Sequence, residues 1–195
     1  MQGFFVILHL ICRMEIMLCQ KEQQLIAECK RGKPKAQEEI YYKFAPIMLG
    51  VCVRYVNDLE TARDILQEGF IRLFANIDKY SGAGSFKNWA RRIFVTSALE
   101  HLRKNDVLKF AHNIDDHIEQ LEDINTSIID KISNEDLMIC IAKLPEKYRT
   151  VFNLHAIEGY SHAEIANMLK ITEGTSWSLY ARARKMLQKN IQRFR

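Results

Sequence analysis

A chain of 195 residues is long enough for one medium domain or two small ones, each burying a core with little stability to spare. Three prolines and eight glycines interrupt it, apolar residues recur at three- and four-residue steps, and no stretch alternates as a strand does, so an all-α protein is expected and sheet-built folds are excluded. The formal charge of +4 is modest but unevenly placed: residues 143–195 carry ten lysines and arginines against four acids, and 105–142 carry nine acids against two lysines. The basic block suits a polyanionic partner, because neutralising phosphates releases counterions, although a solvated helix surface gives the same count.

The chain opens on an apolar run, Phe4 to Cys12, too short to span a bilayer and not preceded by the basic residues of a secretory signal. Met14 and Met17 offer alternative starts, so residues 1–17 are set apart as an extension. Cys12, Cys19, Cys29, Cys52 and Cys140 are odd in number and lack metal or redox spacing, which predicts reduced, packing cysteines and a cytoplasmic protein.

Residues 18–104 read as a first helical unit. Gly32-Lys33-Pro34 separates a short helix from a longer one, with proline where a helix begins. Asn57-Asp58 breaks the pattern, and a helix from there to about residue 77 has Ile65, Leu66, Phe70, Leu73, Phe74 and Ile77 as its apolar stripe. The loop 78–85 holds Gly82 and Gly84, and Ser85 is placed to cap a helix over 86–104. Phe86, Trp89, Ala90, Ile93, Phe94 and Ser97 recur on one side of that helix, with Asn88, Arg92, Thr96 and Arg103 along another.

Residues 105–133 are acidic, poor in aromatic residues and weakly periodic, as a flexible linker with one short helix over 124–132 would be. A second unit, 134–195, follows with helices near 134–143, 146–157, 161–169 and 173–191. Pro145 fits the first turn of the second of these, and Ser161-His162-Ala163-Glu164 forms a capping box for the third. A short helix, a turn at Lys170-Ile171-Thr172 and a longer helix opening at Glu173 have the lengths of a helix-turn-helix, whose second helix reaches base edges with its early residues while flanking cations hold phosphates.

Leu144-Pro145-Glu146-Lys147-Tyr148-Arg149, Glu158-Gly159-Tyr160-Ser161, Glu164-Ile165-Ala166, Gly174-Thr175-Ser176 and Ala181-Arg182-Ala183-Arg184 resemble region 4 of the extracytoplasmic-function (ECF) sigma factors, in the sigma-70 family of bacterial RNA polymerase. That resemblance implies binding to the −35 promoter element, with Glu173, Thr175, Ser176, Trp177, Ser178, Arg182 and Arg184 as contacts, and contact with the polymerase β flap. Asp58 to Phe74 is similar to the family's region 2 helix, whose polar face docks on the β′ clamp coiled coil, and it puts forward Asp64, Gln67, Glu68 and Arg72. The segment around Phe86-Lys87-Asn88-Trp89, Arg91-Arg92 and Leu102-Arg103-Lys104 is similar to regions 2.3 and 2.4, which capture the non-template strand of the −10 element. Lys79, Tyr80, Lys87, Asn88, Arg91, Arg92 and Arg103 are the corresponding contacts. Their chemistry agrees, since capturing bases takes backbone-neutralising cations, stacking surface and a pliable loop.

The chain departs from the family pattern at Thr96, Glu100, Lys170, Trp177 and Leu179. Core polymerase, promoter DNA and an anti-sigma factor are the implied partners. No small-molecule substrate, cofactor or metal is expected: the six histidines form no metal spacing, His112 and His117 being the nearest to one, and neither a phosphate loop nor a nucleophile–base set is visible. The chain therefore reads as an initiation factor and not an enzyme, with a stand-alone helix-turn-helix regulator as the alternative.

Overall fold

The computed structural model describes residues 20–105 and 133–192, and no strand occurs among them. The extension 1–17, the linker apart from its end residues, the helix expected over 124–132, His112 and His117 lie outside the described residues. Two compact units divide the rest. The first reaches to Cys52 and resumes over Glu60–Ser97, and the second takes Val53–Leu59 and the described residues from Ala98 onward.

In the first unit, residues 20–30 form α1, which buries Ile26 and Cys29. The chain turns at Gly32, φ +73°, and α2 (Pro34–Val56) opens on proline as expected. Its buried stripe runs through Ala36, Ile40, Phe44, Met48, Val51 and Cys52. Pro46 lies inside this helix, at a cost of about 3 kcal/mol from a lost backbone donor and a crowded carbonyl. Burial of Ile40, Phe44, Met48 and Val51, at about 1.5–3 kcal/mol each, outweighs it.

The third helix, α3 (Leu59–Ala75), buries Ala62, Ile65, Leu66, Gly69, Phe70 and Leu73. It stops two residues short of the expected end because Asn76 turns back on it, donating its side-chain amide to the Arg72 carbonyl at 2.8 Å. A 3-10 turn, Ile77–Lys79, follows and buries Ile77, whereas Phe74 is half-buried. The helix α4 (Phe86–Lys104) begins where the Ser85 carbonyl accepts the N–H groups of Asn88 and Trp89, each at 3.1 Å. It meets α3 at Gly69, where an added Cβ would overlap the Phe94 ring. Phe94 also lies edge-on to Phe70, 5.0 Å between centroids, so this aromatic contact seats the two helices together.

The second unit contains α5 (Asn134–Ala142), capped by Ser133, whose hydroxyl accepts the Asp136 N–H at 3.1 Å. Pro145 precedes α6 (Glu146–Phe152) at the cap position, one place before the first turn in which the sequence pattern put it. The single helix expected over 146–157 is in fact α6 followed by a π-helical turn, Asn153–Ile157, in which the Glu158 N–H reaches back to the Asn153 carbonyl at 2.9 Å. Then come α7 (His162–Leu169) and α8 (Glu173–Gln192), and α5, α6 and α7 all pack against α8. Cys140, Ile141 and Leu144 bury with Ala183, Leu187 and Ile191, and Leu137, Tyr148, Phe152, Ile157 and Met186 close round them. Arg149 is buried yet satisfied in part within the unit, donating to the carbonyls of Ala142 at 3.2 Å and Leu144 at 3.0 Å.

Two glycines make opposite predictions. Gly69→Ala forces the Phe94 ring from its seat and should destabilise the protein by about 1–3 kcal/mol in a urea melt. Gly50→Ala, mid-helix with nothing near the added methyl, should stabilise it by about 0.5–1 kcal/mol. Lys170 has φ +56°, a left-handed conformation that costs a side-chain-bearing residue about 1 kcal/mol, so Lys170→Gly should raise the melting midpoint of this unit.

Candidate functional site

The α3 stripe turned inward leaves Asp64, Gln67 and Glu68 exposed and Arg72 half-buried, with Asp64, Glu68 and Arg72 four residues apart along the other side and Gln67 beside Glu68. Arg72 Nε donates to Glu68 Oε1 at 2.8 Å, which holds both ends of the pair in place. Ile71 stands among them with 65% of its surface exposed, so the face joins charge to an apolar contact point.

The second candidate surface runs along α4 and the loop before it. Asn88, Arg92, Thr96 and Arg103 are all exposed on one face, and Lys79 and Lys87 are exposed beside them, with Arg91 half-buried. Arg103 shares the face but stands about 16 Å beyond Arg92 along the helix axis. Thr96 bonds its own helix, donating to the Arg92 carbonyl at 2.8 Å. Tyr80 is not an exposed contact. It is buried, its hydroxyl donates to the Gly84 carbonyl at 2.7 Å, and its ring packs against Phe86 and Trp89 at 5.2 and 5.4 Å between centroids. Tyr80 thus ties the loop shut from within. Gly82 and Gly84 supply the positive φ values, +85° and +77°, that so tight a loop needs.

Lys30 completes this loop, and the motif reading missed it. Its Nζ donates to the Tyr80 carbonyl at 2.6 Å from α1, fifty residues away in the chain, so no local pattern could announce it. Trp89, half-buried between Tyr80 and Phe86, joins an aromatic wall and is core only in part.

The third surface is the helix-turn-helix. Ser161 and Glu164 form the expected capping box, the Glu164 N–H donating to Ser161 Oγ at 3.2 Å and the Ser161 N–H to Glu164 Oε2 at 2.8 Å. Lys170 ends α7 in the left-handed conformation, its N–H returning to the Ala166 carbonyl. Thr172 then opens α8, its Oγ1 accepting the Thr175 N–H at 3.0 Å.

Within α8 the expected contacts separate. Glu173 and Trp177 are exposed, and Thr175, Arg182 and Arg184 are half-buried. Ser176 is fully buried on the core stripe it shares with Leu179, Ala183, Leu187 and Ile191, and its Oγ lies 2.9 Å from His162 Nδ1. Ser178 is buried too, at 4% exposure. Neither hydroxyl faces outward to meet a base edge, so both are withdrawn from that set. The Arg184 guanidinium lies over the Tyr180 ring, 5.9 Å from its centroid, which keeps its charged end at the helix surface.

Behind Trp177 lies a cluster that motif reading did not find. The His162 ring packs at 4.0 Å from the indole and at 4.2 Å from the His155 ring, and Tyr180 closes edge-on to His155 at 4.5 Å. His155 Nδ1–H donates to the Tyr160 carbonyl at 2.8 Å, a geometry set by the π-helical turn and by Gly159 at φ +80°. Burial, and then the neighbouring His155, push the His162 pKa down to about 4, so its ring is neutral near pH 7.

Residues 40–107 match the family model for sigma-70 region 2, and residues 134–187 match that for sigma-70 region 4. The ECF RNA polymerase sigma-E factor of Haemophilus influenzae is 30% identical over 184 residues, covering 88% of this chain and 95% of that protein. The RNA polymerase sigma-H factor of Pseudomonas aeruginosa is 29% identical over 183 residues, covering 89% and 95%. A solved structure, of CnrH in complex with the cytosolic domain of CnrY, is similar over 88% of this chain and 97% of that one, at 17% identity and a TM-score of 0.49. A stand-alone helix-turn-helix regulator is set aside by a match that takes in both units and their order. The chain belongs to the ECF group of bacterial RNA polymerase sigma factors, which join core polymerase and direct promoter-specific initiation.

Proposed function

We propose that the three surfaces divide the work of a sigma factor among them. Asp64, Gln67, Glu68 and Arg72 on α3, with Ile71 between them, dock on the β′ clamp coiled coil. Lys79, Lys87, Asn88, Arg91 and Arg92 guide the non-template strand of the −10 element, with Arg103 holding backbone farther along, and the loop that Tyr80 and Lys30 brace receives an unstacked base. Glu173, Thr175 and Trp177 on α8 face the −35 bases while Arg182 and Arg184 hold phosphates. Ser176 and Ser178 serve packing.

The observation that carries this reading is the one-sided exposure of Asn88, Arg92, Thr96 and Arg103 along α4 beside a glycine loop backed by aromatic rings. A cationic rail next to a stacking wall suits single-stranded nucleic acid better than a protein partner. The reading keeps residues 18–104 and 134–195 as separate working domains, with 105–133 as their connector, and takes contact with the β flap to be a second task of the C-terminal domain. An anti-sigma protein is the regulatory partner it implies, and the cytoplasm is the compartment. Among the described residues no helix is long and apolar enough to cross a membrane.

Glu68→Lys should weaken capture of core polymerase by about tenfold or more while leaving the thermal melt within a degree or two, since Glu68 is exposed. Retained capture at an unchanged melt rejects the α3 face. Arg182→Ala should weaken −35 binding alike on all promoter sequences and reduce the slope of log affinity against log salt by about one, as loss of a phosphate contact does. A changed base preference with an unchanged slope would place Arg182 at a base edge instead.

A further inference from the structure

Trp177 stands where the family pattern is basic, and nothing in that pattern says what holds an indole on this helix. The structure supplies the answer in four contacts. One face of the indole lies on the His162 ring at 4.0 Å, while 47% of the residue remains exposed. His162 is also stacked on His155 at 4.2 Å and an interplanar angle of 25°, and the His155 ring lies 6.5 Å from the indole. His162 Nδ1 is bonded to Ser176 Oγ, the residue before Trp177 on α8. His155 is held in turn by the Tyr160 carbonyl.

His162 is only 4% exposed, and its Nε2 has no hydrogen-bond partner. An unpaired buried ring nitrogen carries a desolvation cost, and an aliphatic or phenyl side chain would fill the same space without it. The Nδ1 bond to Ser176 is the one polar contact that histidine gains here. It orients the ring relative to α8, and the ring in turn limits the χ angles open to the indole. Trp177 is thus held from one side and presented from the other. Trp177 lies in the second turn of α8, where a recognition helix meets base edges, and most of its ring surface is carbon.

We infer that His162 is a positioning residue that, through its bond to Ser176 and its stack on His155, holds the Trp177 indole against the 5-methyl group of a thymine in the −35 element. The inference rests on the proposed placement of α8 in the major groove. Apolar contact with the thymine methyl is the one base-edge feature that an indole edge recognises without a hydrogen bond.

The test removes that methyl alone. Promoter duplexes are prepared with each −35 thymidine on either strand replaced in turn by deoxyuridine, and binding by holoenzyme reconstituted from the full chain and core polymerase is measured as a ratio to the unsubstituted duplex. Because each value is a ratio on one preparation, a partly unfolded variant still gives a valid answer. The native chain should lose about fourfold at one position. Trp177→Ala should abolish that sensitivity. His162→Gln, which keeps a polar side chain but no ring, should abolish it too, and His162→Phe, which keeps a flat ring but cannot bond Ser176, should lose most of it.

Trp177→Ala combined with His162→Gln should show no loss of sensitivity beyond either alone, as two members of one contact do. Two results overturn the inference: no deoxyuridine position that weakens binding by the native chain, or full sensitivity retained in His162→Gln. Failure of the underlying placement of α8 shows differently, as −35 binding that Arg182→Ala and Trp177→Ala both leave unchanged.

Discussion

A helix in water has one face to bury, and in this chain every helix with a functional surface is positioned by the face it gives up. On α3 the sequence of Ala62, Ile65, Leu66, Gly69, Phe70 and Leu73 faces inward, so Asp64, Gln67 and Glu68 face out. The same arithmetic on α4 turns Ala90, Phe94, Ala98 and Leu102 inward and Asn88, Arg92, Thr96 and Arg103 outward. Gly69 lets the Phe94 ring lie directly on the α3 backbone, and with it the two outward faces acquire fixed directions. No interaction among the charged residues themselves has that reach, because surface ion pairs such as the partly exposed Glu68–Arg72 contribute about 0–1 kcal/mol while each core aromatic contributes more.

On α8 the constraint is more exacting, because a helix that must read DNA has fewer outward positions than a motif suggests. Leu179, Ala183, Leu187 and Ile191 settle its buried stripe against α5 and α6. Ser176 lies three residues before Leu179 and is carried inward with them, whatever its polarity. Its hydroxyl then needs a buried partner, and His162 at the start of α7 provides it. The hairpin of α7 and α8 is consequently joined by a hydrogen bond inside, a threonine cap at the turn and a left-handed Lys170 between.

Much of this was legible in the sequence because it is local. The capping box at Ser161, the two-glycine loop, the stripe of α3 and the polar row of α4 are each contained within one or two turns, where period and residue type determine the outcome. What escaped is what joins distant segments or trades one rule against another. The Lys30 bond to the Tyr80 carbonyl spans fifty residues, and His162 and Ser176 meet across the turn. The π-helical turn after α6 has no compositional mark. Tyr80 and Ser176 show the commonest ambiguity. A polar or amphipathic residue at a functional motif position can also lie on the core stripe, and for Ser176 counting back three from Leu179 would have exposed the conflict.

The departures from local preference are gathered in one part of the second unit. Between residues 153 and 178 lie a π-helical turn, a lysine at φ +56°, a buried histidine with one nitrogen unpaired, a buried serine hydroxyl without a partner, and a tryptophan left half in solvent. Each costs a fraction of a kcal/mol to a few kcal/mol, and none improves the core. A segment selected only to fold would shed them. Their concentration at the hairpin that presents Trp177 marks a geometry maintained by the surrounding packing against the propensities of its own residues. The long α8 spine makes that tolerable: Ala183, Leu187 and Ile191 bury enough apolar surface with Cys140, Ile141 and Leu144 to hold the helix while its first two turns carry these departures.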